Sequence, residues 1–450
     1  MIRSISIDCL RGAAIILMVL SGVIPFGGAL PAWMYHAQVP PPEHVFKPEV
    51  AGITWVDLVF PFFLFSMGAA VPFALPKRLE QSGVWDTLKH VFQRFLLLLI
   101  FAVISFNLAP LRIPGAGIWA NTIGIAGFAG LFLAFVRYPG LSAARKRYFQ
   151  VSGWAILAGL AVWLSIGFHS FKPAVNDPII RVLANVYLVG SVIWLLTRNQ
   201  PLLRVGIALV FLAMFLGDIA VGSWVNKLWR WHDPWNFVSL YLLKYLLIFI
   251  PGTLIGDWIA GGAGDSGKKG NWLLPITALL STVLALWSLL SRHTPAGFAG
   301  TAILLIATYW LVIGKRLNLS NVEKIFLTGS LLLLSGYLVE PFQDGIKKDP
   351  STLSYFLVTS GLASLWVCAF EEMGRGALRQ VWNPVALTGQ NALMAYLMAG
   401  FLIVPILSLT GVAGLFAGST TLGVLKGALI TALVTWISAG FAGKKVFWKL

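Results

Sequence analysis

The stretch Val91–Leu111, "VFQRFLLLLIFAVISFNLAPL", holds a single charge, Arg94, in 21 residues. A helix needs about 20 mostly apolar residues to cross the hydrocarbon of a bilayer, so this run reads as a transmembrane helix. "NWLLPITALLSTVLALWSLL" (Asn271–Leu290) has the same character, and such windows follow one another almost end to end. The 450-residue chain is 58% hydrophobic and 11% charged, too little charge to cover a soluble globule. Apolar and polar residues do not alternate in strand fashion, which argues against an outer-membrane barrel. The predicted class is all-α: a polytopic helical membrane protein whose residues 1–450 form one transmembrane domain, with no soluble domain attached.

Working outward, fourteen spans are predicted, centred near Val19, Phe63, Ile100, Gly127, Leu157, Tyr187, Leu209, Phe249, Leu279, Leu304, Leu332, Gly361, Ala395 and Ile430. With both termini in the cytoplasm, 21 of the 33 lysines and arginines fall on the cytoplasmic side, among them Arg3, Arg11, Lys268, Lys269, Lys315, Arg316 and Lys449. Nine fall outside (Lys47, Arg112, Lys172, Arg181, Lys227, Arg230, Arg292, Lys347 and Lys348), and Arg94, Lys244 and Lys426 lie within spans. The positive-inside rule supports this orientation. It also accounts for the net charge of +16 through anionic lipid rather than nucleic acid, which is not expected as a partner. The basic, apolar start resembles a signal peptide, but Asp8 and Arg11 hard against the apolar run favour a retained first helix. Cys9 and Cys368 read as small packing residues. No internal repeat is visible, which weakens a repeat-built transporter.

Ionisable side chains inside a bilayer need a partner or a task. Asp57, in "GITWVDLVFPFFLFSMG" (Gly52–Gly68), opens the second span, with Pro61 one turn later. It reads either as a helix-start acid satisfying backbone N–H groups or as a carboxylate that orients a histidine or an acceptor group. Two histidines stand just before it, in "HAQVPPPEH" (His36–His44), a proline-stiffened loop on the outer face. A neutral imidazole there can take a proton from an amine or hydroxyl attacking an acyl group. No third His or Cys stands nearby, so no metal is expected.

Taken together, "SIDCLRGAAIILMVLSG" (Ser6–Gly22), "WMYHAQ" (Trp33–Gln38) and "GITWVDLVFPFFLFSMG" resemble the opening of the heparan-α-glucosaminide N-acetyltransferase family, in a bacterial-type member. Its pattern is an Asp-x-x-Arg-Gly first helix, a His-Ala turn and a Gly-Leu-Thr-x-x-Asp-Leu-Val-Phe-Pro second helix. "LRIPG" (Leu111–Gly115), Asp233-Pro234, "IKKDPSTLSY" (Ile346–Tyr355) and "LTGQNALMAY" (Leu387–Tyr396) resemble later motifs in the same order.

The resemblance implies transfer of acetyl from cytosolic acetyl-CoA, a co-substrate, to the amino group of a terminal glucosamine or to a glycan hydroxyl across the membrane. A ten-helix core with two added hairpins follows, near Leu157 and Tyr187 and near Leu279 and Leu304. The catalytic histidine falls on His36 by the His-Ala pairing. Val39 to Ala51 interrupt the family's His-Ala-x-Trp-x-Gly run, so another placement of the gap selects His44, and a family asparagine falls on Gly22. Asp57 would hold the histidine. Asp8 and Arg11 would meet the nucleotide of CoA or form a structural ion pair. Lys348 would contact the acceptor or the thioester carbonyl, and Asn391 would hydrogen-bond near the reaction centre or serve as a packing amide. Expected partners are membrane lipid and a sugar or glycan acceptor, with a homodimer compatible, in a bacterial inner membrane. A secondary transporter of a small polar solute is the alternative, resting on Asp57, Asp218, Lys244, Asp257 and Glu340 within the spans.

Overall fold

A computed structural model describes residues 4–27, 30–115, 117–137, 139–262, 271–314, 318–375 and 379–448. Arg3, Lys268, Lys269, Lys315, Arg316 and Lys449, counted in the charge distribution, lie outside the described residues. The protein is an all-α polytopic membrane protein. Its helices are α1 (Ile5–Val23), α2 (Trp55–Ala74), α3 (Pro76–Asn107), α4 (Ile118–Phe135), α5 (Ala143–Gly167), α6 (Pro178–Thr197), α7 (Pro201–Gly217), α8 (Trp224–Trp229) and α9 (Leu246–Gly261). They continue as α10 (Leu273–Leu290), α11 (Thr294–Val312), α12 (Asn321–Leu338), α13 (Leu353–Met373), α14 (Arg379–Gln390), α15 (Ala392–Met398), α16 (Val404–Leu409) and α17 (Thr420–Gly443). A 3-10 turn, Leu240–Tyr245, leads into α9, and a π-helical turn, Ala399–Ile403, joins α15 to α16. Among the described residues the sheet structure is one antiparallel pair, β1 (Val136–Arg137) with β2 (Phe447–Trp448).

Twelve helices are long and apolar enough to cross a membrane by length and composition, two of them composite, Leu240–Gly261 and Ala392–Leu409. The two remaining expected spans fall on α7 and α12. The first, α7, has 17 residues, about 25 Å at 1.5 Å per residue. Asn321, Glu323 and Lys324 make the first turn of α12 polar, and Glu323 closes a capping box with Ser320. Both nonetheless run between the same two ends as their neighbours. Arg204 at the start of α7 pairs with Asp257 late in α9, and Asp218 just beyond its end pairs with Arg230. Asn321 at the start of α12 bonds the Trp258 carbonyl, and Gly336 near its end accepts from Ser354 at the start of α13.

Small residues set the closest helix approaches, as expected where lipid removes the hydrophobic drive between helices. A Cβ on Gly12 would stand 1.9 Å from the Val385 carbonyl oxygen, and one on Gly389 2.1 Å from that of Asp8, so α1 and α14 touch through backbone. The pair α2 and α9 meets likewise, through Gly68 and Gly252 against the carbonyls of Phe249 and Phe65. These contacts fix the bundle's two ends. One carries Asp8, Gln390 and the close of α17. The other carries the loop after α1, the start of α2 and the 340–352 segment before α13.

Candidate functional site

Sequence dictates the start of α2. Thr54 is its N-cap, and Asp57, three residues on, closes a capping box: Asp57 Oδ2 accepts from Thr54 N at 3.0 Å, and the Thr54 hydroxyl accepts from Val56 N at 3.2 Å. The Thr54 hydroxyl also donates to the Tyr35 carbonyl at 2.6 Å, which draws the preceding loop onto the helix start. Asp57 Oδ2 takes a further backbone donor, Ala37 N at 3.1 Å, leaving Oδ1 for His36 Nδ1 at 2.7 Å. Both readings of Asp57 therefore hold at once. One oxygen caps the helix and pins the His-Ala turn, and the other orients the imidazole. Asp57 is 2% exposed, while the His36 side chain keeps 39% of its surface.

Pro61 completes the arrangement. It has no N–H to give the Asp57 carbonyl, the acceptor one turn back. Tyr355, on α13, donates its hydroxyl to that carbonyl at 2.8 Å.

The 344–352 segment lies across the His36 loop. Gln38 binds the Asp349 backbone from both sides of its amide, accepting from Asp349 N at 2.9 Å and donating to Asp349 O. Gly52 N donates to Ile346 O at 2.7 Å. Arg292, at the turn between α10 and α11, pairs with buried Glu340, whose carboxylate also accepts Ile346 N at 3.2 Å. These ties deliver Lys348: its Nζ lies 3.1 Å from His36 Nδ1, 3.4 Å from Nε2 and 3.9 Å from Asp57 Oδ1. Burial lowers the Lys348 pKa from the ordinary lysine value, and the attraction of Asp57 and Asp349 pulls the other way. The side chain keeps 30% of its surface.

The structure thus brings together His36, Asp57 and Lys348, and leaves the other predicted residues elsewhere. His44 has a positive φ of 50° and accepts Gly27 N at 3.1 Å, its ring 4.5 Å from Tyr35 and 5.1 Å from Phe26. It sits in the same loop but is packed among aromatic rings, apart from Asp57. Asp8 and Arg11 lie at the opposite end of the bundle, 3.6 Å apart. Arg11 also donates to the Ser66 carbonyl at 3.1 Å, and Asp8 accepts from Gln390 at 3.0 Å, so the pair ties α1 to α2 and α14. Asn391 is at that end too. Its amide donates to Val446 O at 2.9 Å and accepts from Trp448 N at 3.2 Å, anchoring β2, which is the packing role and not one beside His36.

The acids expected within the spans each lie against a basic side chain: Asp57 against His36, Asp218 against Arg230, Asp257 against Arg204 and Glu340 against Arg292. Tyr355 and Gln38 were not singled out from sequence. Pro61 was the available signal for Tyr355, because a proline inside a span orphans a carbonyl that some side chain must satisfy. Among the described residues no three His, Cys, Asp or Glu side chains gather as a metal set.

A family model described as Domain of unknown function (DUF5009) matches residues 3–259, from the start of α1 into α9, and so takes in His36, Asp57 and Lys244. The chain is also 30% identical over 105 residues to Methylamine utilization ferredoxin-type protein MauN of Methylorubrum extorquens, a match covering 23% of this chain and 35% of that protein. Ferredoxin-type clusters are held by four cysteine thiolates; this sequence has two cysteines, both buried.

Proposed function

The chain belongs to the family described as Domain of unknown function (DUF5009), and we propose that it is a transmembrane acetyltransferase, moving acetyl from acetyl-CoA to an amino or hydroxyl group of a sugar or glycan across the membrane. The observation that carries this reading is the His36–Asp57–Lys348 group at one end of an apolar bundle. With Nδ1–H given to Asp57, a neutral His36 presents Nε2 as a base. As the acceptor nitrogen or oxygen bonds to the acetyl carbonyl carbon, its proton passes to Nε2. The carbon–sulfur bond breaks with its electron pair on sulfur, which takes up a proton.

Lys348, now lying against the imidazole, swings on its flexible stem as ligands enter and offers its ammonium to the carbonyl oxygen, where negative charge develops. In this reading the His36 end faces away from the cytoplasm, both termini are cytoplasmic, and the membrane is a bacterial inner membrane, in keeping with the positive-inside asymmetry. The phosphates of CoA then meet the basic opposite end.

The test is acetyl transfer from labelled acetyl-CoA to a panel of amino sugars and glycans by the purified full chain. Wild type is expected to transfer label, and His36→Ala to lose about 10²–10⁴-fold in rate with an unchanged unfolding temperature. Failure to acetylate any acceptor, together with gradient-driven uptake of a polar solute, overturns the reading in favour of a transporter.

A further inference from the structure

Asp218, Asp257 and Glu340 each touch an arginine, but one buried cation touches no anion. Lys244, in the 3-10 turn leading into α9, is 2% exposed. Among the described residues its ammonium makes no hydrogen bond and no ion pair. It lies 3.8 Å from the centroid of the Tyr241 ring and 5.4 Å from that of Tyr245. Attraction to a ring face is weaker than the cost of withdrawing an ammonium from water, so the two tyrosines do not compensate this charge.

The neighbouring acids attract it from a distance and do not touch it. Asp218 is held two-pronged by Arg230, at 2.9 and 2.6 Å, and that guanidinium occupies its own place 4.6 Å from the Tyr241 ring. Asp349 is exposed, and its carboxylate attracts both Lys244 and Lys348 without a close ion pair to either among the described residues. Its backbone alone is pinned, through Gln38, so the side chain is free to turn away.

The turn that carries this charge is tied to the same mouth as His36, and Asp349 of that mouth attracts it. The hydroxyl of Tyr245, the next residue, is 3.0 Å from Ser351 Oγ, and Ser351 in turn donates to the Lys348 carbonyl at 2.7 Å. Tyr245 therefore ties the turn that carries Lys244 to the segment that places Lys348 on His36.

We propose that Lys244 is the anchor of an anion subsite beside His36, which selects acceptor sugars bearing a phosphate, sulfate or carboxylate, and that Asp349 occupies its field until such a group arrives. This deepens the acetyltransferase reading by naming the acceptor class, and it rests on that reading for the word acceptor. The subsite itself is tested by binding, without turnover.

The probes are glucosamine 6-phosphate and glucosamine, titrated by calorimetry into the full chain in nanodiscs of zwitterionic lipid. Wild type is expected to bind the phosphorylated sugar more tightly. Lys244→Met should weaken that binding by about 30-fold or more, as for a buried charge losing its partner, and leave glucosamine unchanged. Asp349→Asn should tighten it. If Lys244→Met unfolds, Lys244→Arg, which keeps the charge, must keep the preference, and the wild-type preference still decides.

Equal affinity of wild type for the two sugars overturns the subsite, as does a preference that survives Lys244→Met. A repeat in nanodiscs containing phosphatidylglycerol separates the two sources of phosphate. Unchanged sugar binding supports a soluble acceptor, and loss of sugar binding overturns it in favour of a lipid headgroup. Loss of the preference while His36-dependent transfer persists would fail this inference alone.

Discussion

The two ends of the bundle handle buried polarity differently. At the Asp8 end the charged groups form closed sets. Arg204, wholly buried, donates to the Thr197 hydroxyl and carbonyl, to Thr253 and to Asp257, while Trp194 takes the other Asp257 oxygen at 3.0 Å. Asp8 and Arg11 are spent on each other and on two neighbouring helices. At the His36 end Asp57 is just as fully engaged, but the groups around it are not: His36 and Lys348 keep part of their surface, and buried Lys244 has no anion in direct contact. A closed set fixes helices relative to one another. An open one retains capacity to bind and to move protons, and this contrast is what substitutions can break.

The largest effect is expected from Asp57→Asn. An amide that turns its NH2 to His36 Nδ1 reverses the tautomer, puts the proton on Nε2 and removes the base. Acetyl transfer should fall by about 10²-fold or more in the labelled-donor assay. Turnover at the wild-type rate would reduce Asp57 to a helix cap and erase the distinction between the two ends.

Arg204→Met asks the reverse question of the closed end. It removes the charge-assisted bonds that Arg204 makes to the half-buried Asp257 carboxylate and to Thr197 and Thr253, which should cost about 1.5–3 kcal/mol of stability, measured by denaturant unfolding in detergent. Acetyl transfer per folded molecule should stay unchanged. A variant that folds with wild-type stability but loses turnover would make the Asp8 end part of the chemistry.

How legible this contrast is from sequence depends on the range of the interaction. The spans are local facts of composition: Val91–Leu111 lies within α3 and its exit, and each of the fourteen expected centres falls on a helix, twelve of them in a segment long and apolar enough to cross a membrane. The Thr54–Asp57 capping box is local too. What composition cannot carry is contact between distant segments. Lys348 reaches His36 from 312 positions away, through loop pairings that leave no periodic trace. Asn391, inside a motif that resembles a family signature, turns out to be tied to β2, because a buried amide serves packing and chemistry with the same atoms. The His-Ala pairing favours His36 over His44, but spacing alone does not fix where the gap made by Val39–Ala51 falls.

Tyr355→Phe sits between the two ends in expected size. It removes the donor that serves the carbonyl orphaned by Pro61, and an unsatisfied buried acceptor costs about 1–3 kcal/mol. Unfolding should register that loss. A smaller fall in acetyl transfer should accompany it, because the start of α2 carries Asp57. Unchanged stability would mean that Asp57 O finds another donor, and that α2 is held less tightly by α13 than the 2.8 Å bond implies.

The smallest effect is expected from His44→Ala, and it bears most directly on the site. The variant loses one accepted backbone bond, from Gly27 N, and edge contacts with Tyr35 and Phe26, at a cost of about 0.5–1.5 kcal/mol. Tyr35 is independently fixed, because its hydroxyl donates to Pro25 O at 2.6 Å and its carbonyl accepts from Thr54. The loop that presents His36 should therefore hold its shape, and acetyl transfer should stay within a factor of about two. A loss comparable to that of His36→Ala would instead assign the base to His44. Asp57 would then have to orient a histidine that packs against Tyr35 and Phe26, which requires the loop to rearrange before any acceptor binds.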